Sequence, residues 1–261
     1  MPPVADEDNT VAAPPSTAEW RDIAKVPNLY YHILSWPEKK DEGWSKEDLY
    51  ATGTSDWEDF RHQWRHYSPD LVGTCVEIGC GAGRLTQALA GDFESVVALD
   101  VSPDMIANAR EIAPENVRFE VVDGSTIPLG DGEAGGVFSV IVLQHLETFD
   151  DVRGYMTDAF RALAPGGSVM LNVALAHRPR GRIERLRTEI GIRRSRRGLR
   201  KGKVHDYVRW NEYPWERILT ALREIGYEDI QLRMFPVRSN GWQHHFWFAT
   251  RPGAQPDSSS S

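Results

Sequence analysis

Cysteine is scarce in this chain of 261 residues, which holds two, Cys75 and Cys80. Two thiols supply neither a disulfide framework nor the ligand spacing of a structural zinc site, so both read as reduced and buried. No apolar run approaches the roughly 20 residues that span a bilayer. The N-terminal string MPPVADEDNTVAAPPST is acidic and proline-rich, without the basic start and apolar centre of a secretory signal. A cytoplasmic protein is expected. Internal repeats are absent too. So is one glycine: in VEIGCGAGRLT, Gly79 and Gly81 open a dinucleotide fingerprint, but Arg84 stands where its last glycine belongs and Gly83 comes one residue early.

What is present is enough for a sizeable core. Apolar residues make up 41% of the chain, with nine tryptophans, which excludes a wholly disordered protein. The net charge of −8 conceals an asymmetry. Between Arg178 and Lys203, ten Arg and two Lys face only Glu184 and Glu189, a local +10 that leaves −18 for the remainder. That stretch reads as a mobile basic lid, with an anionic acceptor or partner and nucleic acid as the other readings. The acidic remainder and the lack of an RNA-binding module disfavour nucleic acid.

The texture divides the chain. Residues 1–17 and 253–261 read as tails. Residues 18–69 form a helical, aromatic cap, broken by Pro27, Pro37, Gly43 and Gly53, that contributes to a substrate site. Residues 70–252 alternate strands and helices: TCVEIG, SVVALD, VRFEVVD, GVFSVIVLQHL and SVMLNVAL are strands, with helices between them. EDIQLRMF and HHFWFATR close the chain as an antiparallel pair. The expected fold is α/β: a Rossmann-like, doubly wound, seven-stranded sheet, mostly parallel with an antiparallel C-terminal edge strand, and a basic insertion over 177–211.

Three acids fall near the carboxyl ends of successive strands, where ligands of open α/β sheets lie: Glu77, Asp100 and Asp123. A carboxylate after the second strand is placed to accept from both ribose hydroxyls. One after the third can meet an adenine amino group, flanked by Val101, Met105, Gly124 and Ser125. The combined string VEIGCGAGRLT, ALDVSPDMI, FEVVDGSTIPL, GVFSVIVLQHL and LAPGGSVML resembles the class I S-adenosylmethionine-dependent methyltransferases, most of all the bacterial small-molecule branch. The resemblance covers 70–175. It implies S-adenosyl-L-methionine as cofactor, with Glu77 at the methionine end, Gly79, Gly81 and Gly83 allowing close approach, Asp100 on ribose and Asp123 by adenine; Arg84 and Gln144 complete the expected set. A cofactor without pyrophosphate does not need the third dinucleotide glycine, which accounts for Arg84.

The acceptor is less legible. LQHLE replaces the Asn/Asp-Pro-Pro-Tyr run typical of adenine- or glutamine-nitrogen methylation. An alcohol acceptor benefits from a general base. His145 after strand four is the first candidate, His177 the second, and Glu147 is expected to assist or orient His145; His205, His244 and His245 read as structural. Tyr30, Tyr31 and Trp36 are the candidate acceptor contacts. The expected reaction is O-methylation of a small polar acceptor, with a carbohydrate hydroxyl preferred. An N- or RNA methyltransferase, or a non-catalytic S-adenosylmethionine-binding interaction protein, are the alternatives. No metal ligands are predicted; a divalent-metal requirement and the oligomeric state stay open.

Overall fold

The computed structural model of the chain describes residues 15–25, 29–176, 190–191, 193–194 and 209–253. Four helices come first: α1 (Pro15–Ile23), α2 (Leu29–Ile33), α3 (Lys39–Glu42) and the long α4 (Lys46–Tyr67). Then follow β1 (Thr74–Ile78), α5 (Thr86–Ala90), β2 (Ser95–Asp100), α6 (Pro103–Arg110), β3 (Val117–Val121), β4 (Ala134–Ser139), a 3-10 turn (Leu143–His145), α7 (Phe149–Ala162) and β5 (Leu163–Asn172). Helix α8 (Trp215–Ile225) and strands β6 (Glu228–Pro236) and β7 (Gln243–Thr250) complete it.

The seven strands form one sheet in the order β3-β2-β1-β4-β5-β7-β6. Neighbours from β3 to β5 pair in parallel, and β7 runs antiparallel to both β5 and β6. The reversed strand therefore sits one place in from the edge, and β6 is the edge. Strand order turns back between β1 and β4, so a crevice opens beyond the carboxyl ends of β1, β2 and β4.

Side chains alternate across this sheet with the period of two that a strand imposes. Val76, Val97, Leu99, Val137, Val169, Leu171 and Trp247 pack under α7 and α8. Their neighbours Cys75, Val96, Ala98, Phe138, Met170, Phe246 and Phe248 pack against α4, α5 and α6. Both faces are covered, which is why the strands read as continuous apolar runs. The cap supplies the aromatic layer of the second face. On α4, Trp57, Phe60 and Trp64 are buried, and Trp64 Nε1 donates to Ser168 Oγ at 2.8 Å. Capping is explicit where helices begin: the Ser45 hydroxyl accepts from the Asp48 N–H, and Thr148 and Asp151 form a reciprocal capping box.

Two expectations change. The N-terminal tail expected over 1–17 ends earlier: α1 begins at Pro15, and Ser16 and Thr17 are buried. Strand four stops at Ser139 instead of running through Leu146: Ile141 adopts φ +55 and gives its N–H to Asn172 Oδ1 at 3.0 Å, which turns the chain into the 3-10 turn. Most of the expected basic insertion over 177–211, His177 included, lies outside the described residues, as does 254–261 of the C-terminal tail.

Candidate active site

A cavity opens in the crevice beyond the carboxyl ends of the strands. Its floor is the turn from β1 to α5. Gly79 there has φ +76, and a Cβ would sit 2.2 Å from Val142 Cγ2, so only glycine lets the turn pass beneath the chain after β4. Gly79 and Cys80 donate their N–H groups to the Leu99 carbonyl at 2.7 and 2.9 Å, stitching the turn to the end of β2.

Asp100 ends β2 and faces the cavity. Its Oδ2 accepts from Gly81 N at 2.9 Å and its Oδ1 from Ser102 N at 2.8 Å. A carboxylate offers about four lone-pair sites; two are taken, and each oxygen retains capacity for one hydroxyl of a vicinal diol. Burial raises its pKa above the usual carboxylate value, against the pull of these backbone donors. Glu77, at the end of β1, is more deeply enclosed. Burial pushes its carboxyl up to about 7, although a 2.6 Å hydrogen bond from Thr86 Oγ1 and the nearby Arg84 charge pull it down.

Arg84 is held by a reason the sequence hid. Its guanidinium pairs with Asp56 Oδ2 of α4 at 2.6 Å, both side chains nearly sealed from solvent. Beside this pair, the Cα of Gly53 comes so close to the Arg84 carbonyl that a Cβ there would lie 1.9 Å from it. The pair fixes the cap's main helix to the glycine turn.

Helix α1 roofs the opposite side. Arg21 Nε donates to the Val101 carbonyl at 2.8 Å, and Thr17 Oγ1 to the Asp123 carbonyl at 3.3 Å. Ser16, Thr17 and Trp20 consequently line the cavity, as do His32 and Ile33 from α2 and Tyr155 from α7. Burial raises the Tyr155 phenol. None of these six was nominated from sequence. Trp20 was legible as a cap aromatic; the others reach the cavity only through tertiary docking.

His145, in the turn after β4, also faces the cavity. Its Nδ1 lies 2.5 Å from the Arg209 carbonyl oxygen. A carbonyl only accepts, so Nδ1 carries the proton and Nε2 keeps its lone pair. Burial lowers the imidazole to about 4, the Arg209 carbonyl opposing, so the ring is neutral at physiological pH. Trp20 and Trp210 meet it edge-on, with ring centroids 5.1 and 5.6 Å away.

Of the cofactor residues named from sequence, Glu77, Gly79, Gly81, Arg84, Asp100, Val101, Met105 and Gly124 surround this cavity. Gly83, Asp123, Ser125 and Gln144 do not line it. Gly83 turns toward Ala109 of α6. The exposed Asp123 carboxylate closes on its own turn, accepting from Ser125 N and Oγ at 2.8 Å each; burial is the largest single effect and raises its pKa, but the hydrogen bonds of the turn together outweigh it and lower the pKa. Gln144 is fully buried in the protein interior. The acceptor candidates sit elsewhere as well. Tyr30 Oη donates to Asn108 Oδ1 of α6 at 3.4 Å, Tyr31 packs edge-on against His32, and Trp36 against Trp44. Glu147 meets the Arg209 guanidinium at 3.2 Å. Among the described residues, no three His, Cys, Asp or Glu side chains converge to hold a metal ion, and no helix is long and apolar enough to cross a membrane.

Residues 76–171, the span that carries the glycine turn, Glu77, Asp100 and His145, match the family described as a methyltransferase domain. Those residues belong to the class I S-adenosylmethionine-dependent methyltransferases. A malonyl-acyl-carrier-protein O-methyltransferase of Hahella chejuensis is 34% identical to this chain over 104 residues, 38% of this chain and 36% of that one. A demethylmenaquinone methyltransferase of Tropheryma whipplei is 25% identical over 115 residues, 41% and 46% of the two chains. The chain thus matches less than half the length of these curated relatives. Among solved structures, an S-adenosylmethionine-dependent methyltransferase of Leishmania major superposes with a TM-score of 0.59 at 13% identity, covering 90% of this chain and 82% of that one. Phosphoethanolamine N-methyltransferase 2 of Haemonchus contortus, solved with S-adenosylmethionine, gives 0.55 at 16%, covering 85% and 60%. At such identities these two share the fold. The cap helices α1 to α4 and the closing unit from α8 to β7 flank the matched methyltransferase domain.

Proposed function

We propose that this chain is an S-adenosylmethionine-dependent O-methyltransferase of a small hydroxyl acceptor, with a sugar hydroxyl as the favoured case. The observation that carries the reading is His145: a neutral imidazole, protonated at Nδ1 by its bond to the Arg209 carbonyl, on the same cavity as Asp100 and Glu77.

The cavity suits the cofactor. Asp100 has the free lone pairs a ribose diol needs, Glu77 is an enclosed carboxyl for the α-ammonium of the methionine end, and the Gly79 turn leaves backbone exposed where a Cβ would block it. Val101, Met105 and Val122 provide apolar walls toward the β2 and β3 ends, where a purine ring fits. Bound there, the cofactor supplies a methyl group already activated on a sulfonium.

What remains for the protein is alignment, exclusion of water and disposal of one proton. Trp20, Ile33 and Leu146 dry the acceptor side, and the C–H face of a sugar ring stacks on an indole. His145 Nε2 would take the proton of the acceptor hydroxyl. A transfer assay with a labelled methyl group over a panel of sugars and phenols tests this. His145→Gln is expected to lower turnover by roughly 10²–10⁴ on the acceptor found. Full activity in that variant removes His145 as base.

A further inference from the structure

The turn bearing His145 is bound on one side by a segment that begins 64 residues further along the chain, and the contacts are not spread evenly. Arg209 gives its carbonyl to His145 Nδ1, while its guanidinium meets Glu147 Oε2 at 3.2 Å, two residues beyond the same histidine. Asn211 then grips the turn twice, donating N–H to the Gln144 carbonyl at 2.8 Å and Nδ2 to the Leu146 carbonyl at 2.7 Å. Behind it, Tyr213 exchanges backbone hydrogen bonds with Ala174 and Ala176, just past β5. The Arg209 carbonyl is therefore not a chance neighbour. It is held from both ends of its residue, by a half-buried guanidinium–carboxylate contact and by the chain that follows.

We infer that Arg209 and Glu147 are positioning residues, whose ion pair aims the Arg209 carbonyl so that His145 is kept as its Nδ1–H tautomer with Nε2 free to take a proton. The inference rests on the reading of His145 as the base. An imidazole with its proton on Nε2 has no lone pair facing the cavity and is inert in that role, so the tautomer ratio sets the fraction of competent enzyme. The glutamate named from sequence as an orienter of His145 acts here through Arg209.

The ratio is readable in the free protein. Nitrogen-15 spectra of histidine-labelled full chain separate protonated from unprotonated ring nitrogens, with His145→Gln supplying the assignment. Wild type is expected to show a single Nδ1–H form. Loss of a well-aimed hydrogen bond shifts such a ratio by roughly tenfold, so Arg209→Ala and the isosteric Glu147→Gln should both bring His145 toward an averaged mixture. Arg209→Lys, which keeps a charge for Glu147, should restore much of the single form, a rescue that a purely structural role does not predict. Neither side chain lines the cavity, so titration with S-adenosylhomocysteine should give unchanged affinity and certify the fold of each variant. A wild type with its proton on Nε2, or both variants keeping the pure Nδ1–H form, overturns the inference. If wild type binds no S-adenosylhomocysteine, the proposed function fails, while the ligand-free tautomer spectra still decide the positioning role.

Discussion

Glu77 gives the cavity a pH dependence whose sign and size follow from its surroundings. Buried at the end of β1, it titrates at about 7 in the free protein. In the proposed complex its partner is the ammonium of the methionine end, which binds the carboxylate and not the carboxylic acid. Affinity for S-adenosylhomocysteine should therefore rise with pH. With a pKa near 7 the group is about nine-tenths ionised at pH 8 and about one-tenth at pH 6, so the dissociation constant should weaken about tenfold between them, close to 1.4 kcal/mol. His145, with its pKa near 4, does not titrate in this window. Calorimetry at pH 7 should show about half a proton released, seen as heats that differ between phosphate and Tris. Glu77→Gln should bind more weakly and lose both effects, which separates Glu77 from the neighbouring Asp100. Affinity that is flat from pH 6 to 8, with buffer-independent heats, would refute the assignment of Glu77 to the ammonium end.

Two further outcomes concern stability. Asp56→Ala strands the Arg84 guanidinium in a site where both partners are almost fully enclosed, and should cost roughly 3–5 kcal/mol in urea unfolding; a loss under about 1 kcal/mol would mean that water reaches Arg84. Glu77 and His145 also oppose one another. The raised Glu77 pKa contributes stability that is present below the unfolded value of 4.5 and lost as pH rises through about 7. The depressed His145 pKa contributes stability that is present above 6.5 and lost as pH falls through about 4. Between pH 5 and 6.5 the two slopes cancel in wild type, whereas Glu77→Gln should lose stability on acidification by up to about 1.4 kcal/mol per pH unit relative to wild type. Parallel pH profiles for the two proteins would contradict this.

Local pattern made much of this molecule legible, and tertiary contacts account for what escaped. The glycine turn and the acids ending β1 and β2 are set by neighbours a few residues away, so Glu77, Gly79 and Asp100 could be named from the string alone. Alternating burial on a sheet covered on both faces left continuous apolar runs, which mark a strand but not its end. Val137–Val142 is apolar but for Ser139, yet the strand stops there, because Ile141 answers to Asn172, 31 residues away. Arg84 looked like a missing glycine; its partner Asp56 lies 28 residues upstream on another helix. Asp123 shows the opposite case: its carboxylate accepts from Ser125 two residues on, and the residue does not line the cavity. Ser16 and Thr17 sit in a proline-rich stretch, and only their docking on the Asp123–Gly124 loop makes them walls of the site.

Calorimetry with S-adenosylhomocysteine on wild type and Asp100→Ala decides whether this crevice holds S-adenosylmethionine with Asp100 on its ribose. Wild type should bind one molecule saturably. Removing the carboxylate forfeits two hydrogen bonds to a charged acceptor, together about 3 kcal/mol or more, so Asp100→Ala should bind at least about 100-fold more weakly. Absence of binding by wild type, or equal binding by the variant, contradicts the account.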